Sequence, residues 1–174
     1  GGDVPVTGPL PPLICIATTA GTGSEVSRSA VIKLEETGRK TVLFSPRLIA
    51  TSAIADPELT LELPPRPTAW TGMDAFTHCV EAYVALGDHP LADALALDGV
   101  RRIVRALPEL MDNPRDLACR ADMMASAIMG AMAFTKGLGI AHAISHAVGA
   151  LVPGAHHGLV NAIVLPSGCR YNEI

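Results

Sequence analysis

The sequence predicts an α/β segment followed by an all-helical one. Three observations carry that prediction. Up to about residue 60 the apolar residues fall in short β-rich runs separated by Gly, Pro and Ser, whereas after Pro64 they recur at helical spacing. Apolar residues make up 49% of the chain and charged residues 17%, a composition that excludes a disordered chain and requires extensive burial. The 174 residues are enough for one good core or for parts of two domains, here divided as 1–60 and 61–174.

Runs at 13–17, 30–34, 41–44 and 49–55 are the candidate strands. Between the first two lies TTAGTGSE, a loop rich in backbone N–H groups and hydroxyls of the kind that meets phosphates or riboses. Thr68 or Thr71 is positioned to cap a helix running through Asp74, His78 and Tyr83 toward Gly87. Pro90 suits the first residue of a second helix with Leu91, Ala94, Leu95, Leu97, Val100, Ile103 and Val104 on its apolar face. A third helix is expected over 114–134, with Ala118, Ala121, Met124, Ala125, Ile128 and Met132 as its stripe. A fourth starts near Gly139 and a fifth near Gly158.

The net charge of −4, with Arg101-Arg102 as an isolated basic pair, argues against a nucleic-acid or anionic-membrane surface. Cys15, Cys79, Cys119 and Cys169 are dispersed without CxxC spacing, as reduced cysteines of a cytoplasmic protein would be. No uninterrupted apolar run is long enough to span a bilayer, and the N-terminal segment lacks the pattern of a signal peptide. The opening in Gly and Pro without Met points to the middle of a longer protein.

Five of the six histidines lie in three short segments, GMDAFTHCVEAY, GLGIAHAISHAVGA and GAHHGLVNA. Asp74/His78 and His142/His146 are each four apart, which on a helix puts both side chains on one face. A single histidine on an apolar helix face is more often a hydrogen-bonded core residue, but two such pairs plus His156-His157 are poorly explained by packing. A carboxylate with two or three imidazoles suits a divalent first-row ion such as Fe2+ or Zn2+ rather than Ca2+ or Mg2+. HExxH, G-x-S-x-G and a complete G-x-G-x-x-G are all missing, so spacing supports a metal and leaves the reaction open.

ATTAGTGSEVS, DPELTLELPPRPTAWTGMDAFTHCVEAY, GLGIAHAISHAVGA and HHGLVNAIVLP closely resemble, in the same order, the signatures of the iron-containing (group III) alcohol dehydrogenases. The resemblance implies the dehydroquinate synthase-like superfold. Residues 1–60 would then close a Rossmann-like nucleotide domain, and 61–174 would begin the helical metal domain. It implies Asp74, His78, His142 and His157 as ligands to Fe2+, with Zn2+ as an alternative, and His146 as the residue that handles substrate or its proton. It implies contact of Thr18, Thr19, Gly21, Thr22 and Lys40 with NAD or NADP. Hydride would pass between a primary or other small alcohol, or the corresponding aldehyde, and the nicotinamide, in a protein that is a dimer at full length. Ala17 departs from the Pro usual in the family, and the family's earlier Gly-rich phosphate loop is not in this sequence. The alternatives are a dehydroquinate synthase-like enzyme, a noncatalytic metal-binding fragment and a metallohydrolase.

Overall fold

The computed structural model describes residues 7–36 and 40–172. The first part forms two separate two-stranded sheets. β1 (Ile14–Ile16) runs parallel to β4 (Ser52–Ile54) with Cys15 opposite Ala53, while β2 (Ser29–Lys33) and β3 (Lys40–Phe44) make an antiparallel hairpin with Val31 opposite Val42. The last strand is shorter than the apolar run suggests. Ser45 accepts a hydrogen bond from the Arg47 N–H at 3.2 Å and Pro46 follows it, so the chain coils into a 3-10 turn at Pro46–Leu48 before it can extend. Asp56 caps a second such turn, Pro57–Thr60, in the same manner.

Five helices follow: α1 (Pro65–Val84), α2 (Pro90–Asp112), α3 (Leu117–Ala133), α4 (Ile140–Leu151) and α5 (His157–Asn172). The first three pack on one another, and the α4/α5 pair packs on α1. α1 begins earlier than its threonines suggest. Pro65 occupies the first helical position, where its missing N–H costs nothing. Thr68 and Thr71 are therefore inside the helix, where their hydroxyls donate back to the carbonyls of Leu63 and Pro67. α2 starts at Pro90 as expected, and His89 acts as its cap by accepting from the Ala92 N–H at 3.2 Å. Asp116 caps α3 through the Cys119 N–H at 2.8 Å.

The buried faces of α2 and α3 differ from the stripes expected from the large apolar residues. Leu91, Leu97 and Val104 are exposed, Ile103 is buried and Leu95 and Val100 pack on the core as expected, and Ala92, Ala96, Gly99 and Ala106 are buried beside them. On α3 Met132 is exposed, as are Ala118 and Ala121, while Met124 is buried as expected together with Met123, Ala127, Gly130 and Ala131. The cause is close backbone approach. A Cβ on Gly99 would stand 2.6 Å from Cys79 Sγ, and one on Gly130 would stand 3.0 Å from His78 Cβ. Small residues thus select the contact face, and α1 comes near enough to its neighbours to be held rigidly. Cys79 is fully buried there, and burial pushes its thiol up to about 12. All four cysteines are free.

Arg120, only 2% exposed, ties the start of α1 to α3. Its guanidinium donates to Thr68 Oγ1 at 3.0 Å, to the Pro114 carbonyl at 2.9 Å and to the Leu63 carbonyl at 3.4 Å. Arg120→Ala strands these acceptors in a dry space, so urea unfolding of the variant is expected to show a loss of about 3 kcal/mol.

Candidate metal centre

α1 aligns Asp74, His78 and Glu81 on one face by spacings of four and three residues, and all three are buried. α4 brings His142, and the first turn of α5 brings His157 and Asn161. Gly158 makes that meeting possible, because a Cβ there would lie 2.0 Å from the Trp70 carbonyl oxygen and 3.1 Å from Asp74 Cβ. Asp74 Oδ1 accepts from Asn161 Nδ2 at 2.8 Å and lies 3.7 Å from both His142 Nε2 and His157 Nε2. Asn161 Nδ2 also sits 3.2 Å from His142 Nε2.

Ligand atoms of Asp74, His142 and His157 all fall within 4.8 Å of one another. His78 stands beside this trio, its ring stacked on that of His142 with centroids 4.5 Å apart. Its Nδ1 is buried without a hydrogen-bond partner. A carboxylate and several imidazoles facing one another in a dry pocket, one ring nitrogen unsatisfied, form a donor set that fits a divalent first-row ion. The pocket opens asymmetrically. The side chains of Asp74 and His142 are 5% and 3% exposed, whereas that of His157 is 34% exposed and marks the mouth. His146, half-buried one turn along α4, lies by that mouth with its ring 4.8 Å from His157 and 6.3 Å from His142.

Charge is distributed unevenly over these groups. Burial alone would raise the Asp74 pKa, but the neighbouring His142, His78 and His157 rings outweigh it and bring it down to about 2. Burial depresses His78 to about 4 despite the neighbouring carboxylate. For His142 burial is overcome by the hydrogen-bonding carboxylates of Asp74 and Glu81, which raise its pKa.

His157, not His156, turns toward Asp74; the His156 ring packs against Trp70 at 4.7 Å. Phe134 stands 5.0 Å from His78. In the TTAGT loop Thr18 and Thr22 are exposed, Thr19 is half-buried and Gly21 is buried. A Cβ on Gly21 would come within 2.8 Å of Thr71 Cβ, so glycine lets this loop touch α1, where its carbonyl meets the His78 ring. Lys40 opens β3, and its side chain lies outside the described residues.

Two polar residues of the site escaped the sequence reading, Glu81 and Asn161. Their signal was the spacing already applied to the histidines. Glu81 is one turn beyond His78, and Asn161 is four residues beyond His157. Among the described residues no helix is long and apolar enough to cross a membrane.

Comparison with known proteins identifies the family. Residues 68–174 match the profile described as Fe-containing alcohol dehydrogenase family, C-terminal, and residues 2–57 match that of Iron-containing alcohol dehydrogenase. The chain belongs to the iron-containing alcohol dehydrogenase family. It is 46% identical to 4-hydroxybutyrate dehydrogenase of Cupriavidus necator over 99% of its own length and 46% of the relative's. It superposes on a crystal structure of 1,3-propanediol oxidoreductase with a TM-score of 0.92 at 41% identity, covering 95% of this chain and 44% of that one. For sulfoacetaldehyde reductase from Bifidobacterium kashiwanohense in complex with NAD+, the TM-score is 0.87 at 32% identity, covering 92% and 43%. The chain thus spans about half the length of these relatives.

The depressed His78 yields a pH prediction for chelator-treated protein. Unfolded His78 takes up its proton near 6.5 and folded His78 only near 4, so the unfolded state binds more protons between those values. The His78 contribution to stability is therefore complete above pH 6.5 and is lost as pH falls toward 4. Urea unfolding across that window is expected to show a shallower pH slope for His78→Gln than for the unsubstituted protein; equal slopes would refute the assignment.

Proposed function

We propose that this chain is the metal-bearing part of an NAD(P)-dependent alcohol dehydrogenase that transfers hydride between a small alcohol, or its aldehyde or ketone, and the nicotinamide. The observation that carries the proposal is the convergence of Asp74, His142 and His157 within 4.8 Å in a pocket where His78 Nδ1 has no partner. Asp74, His78, His142 and His157 are the ligands, to Fe2+ in the first place and Zn2+ as the alternative. Such an ion would supply Lewis-acid polarisation of the alcohol oxygen, and the nicotinamide would accept the hydride.

The protein's own groups bind and orient. His157 and His146 border the open side, so substrate enters past them. His146, beside that mouth, passes the hydroxyl proton outward. Thr18, Thr19, Gly21, Thr22 and Lys40 hold the cofactor; contact of the Gly21 loop with His78 brings that loop to the metal ligands. The NAD+ complex of the sulfoacetaldehyde reductase supports a nicotinamide role for this fold. Residues 1–60 and 61–174 are the adjoining parts of a nucleotide-binding and a helical domain, as the separate family matches suggest. We place the protein in the cytoplasm, as a homodimer at full length.

Metal analysis and alcohol-dependent NADH or NADPH formation test the proposal. Asp74→Ala and His142→Ala are each expected to lose bound metal and to reduce turnover at least about 100-fold, the scale of removing a charge-stabilising group from a catalytic centre. His157→Ala should release metal while His156→Ala retains it, and equal metal content in these two variants would overturn the ligand set.

A further inference from the structure

Glu81 of α1 meets α4 at two points, the backbone of its first turn and the His142 ring. The residue before α4 is Gly139, which offers no side chain to cap the helix. The orphan N–H groups of the first turn are satisfied from α1 instead: Ala141 N donates to Glu81 Oε1 at 2.7 Å, and His142 N approaches Oε2 at 3.4 Å. The Oε2 that lies near the His142 N–H also sits 2.6 Å from His142 Nδ1. Glu81 is 4% exposed, and a carboxylate at that depth is an acceptor, so the ring nitrogen facing it carries the proton.

From these contacts we infer that Glu81 is a positioning residue for the metal site: one carboxylate caps α4 from the neighbouring helix and holds a ring proton of His142 on Nδ1, so that Nε2, on the side of Asp74 and His157, is the nitrogen a cation would take. This role rests on the proposed ligand set. Without Glu81 the proton on the His142 ring is free to move to Nε2, where it blocks the lone pair a cation needs, and the whole ring is free to turn. Gly139 belongs to the same device. A Cβ at that position would stand 2.7 Å from Glu81 Oε1 and 3.0 Å from Cδ, so the carboxylate reaches the helix end only because nothing stands there.

Glu81→Gln keeps the shape but cannot do both tasks, since its single carbonyl oxygen accepts either from the α4 backbone or from the ring. Gly139→Ala leaves the charge in place and displaces the carboxylate; its backbone, at φ −114°, tolerates alanine. Zn2+ affinity of the folded protein, measured by chelator competition, is expected to fall about 10- to 100-fold in each variant. The visible absorption of the Co2+-loaded protein is expected to shift, because the ring no longer meets the ion at a fixed angle. Unsubstituted protein that binds Zn2+, with both variants matching its affinity and Co2+ spectrum, would overturn the role of Glu81 while leaving the ligand set intact. A reduced folded fraction with unchanged affinity and spectrum would do the same, since it would show a cap and nothing more. Failure of the unsubstituted protein to bind either ion overturns the ligand set and this role with it.

Discussion

The fold is organised around a buried negative charge. Asp74 sits near the middle of a twenty-residue helix at 4% exposure, and a carboxylate in that position is tolerable only if donors and positive charge are brought to it. Asn161, His142 and His157 meet that demand, and each arrives on a different turn or a different helix. The packing of α4 and α5 on α1 brings these partners to Asp74. Gly158 is glycine because the first turn of α5 must come close enough to deliver His157 and Asn161.

The outer packing serves the same end by different means. α1 is clasped on its other side by α2 and α3 through Gly99, Gly130 and Ala127, with Cys79 wedged among them. Such contacts leave little slack. A helix held this closely cannot rotate by the few degrees that would turn Asp74 and His78 away from their partners. Arg120 adds a polar anchor at the N-terminal end of α1, where three prolines limit the hydrogen bonds that the backbone can make.

Much of this was legible in the sequence, and the failures have identifiable causes. Helix order and the start of α2 at Pro90 follow from periodicity and proline position, which act locally; spacing pairs Asp74 with His78 and His142 with His146, and the resemblance to the family adds His157. The start of α1 was misplaced because Thr68 and Thr71 look like caps, while Pro65 makes a cap unnecessary. The stripes on α2 and α3 are only partly right, because glycines and alanines share the buried faces with Ile103, Leu107, Leu110, Met123 and Met124. Glu81 carries no metal motif of its own in the sequence, since His78-Cys79-Val80-Glu81 is not HExxH. Only the distant Gly139 and Ala141, brought to it by the fold, show its purpose.

The hydrogen bonds that define the site link residues far apart along the chain. Glu81 and His142 are separated by 61 positions, and Asp74 and Asn161 by 87. No single helix contains more than half of the constellation, so α1 must meet α4 and α5 before it is complete. Closing loops of that length comes late in folding, after the local helices have formed. Assembly of this cluster is therefore a property of the completed helical domain. An ion captured by it would act as a latch on the native state, holding together helices that meet only when folding is finished.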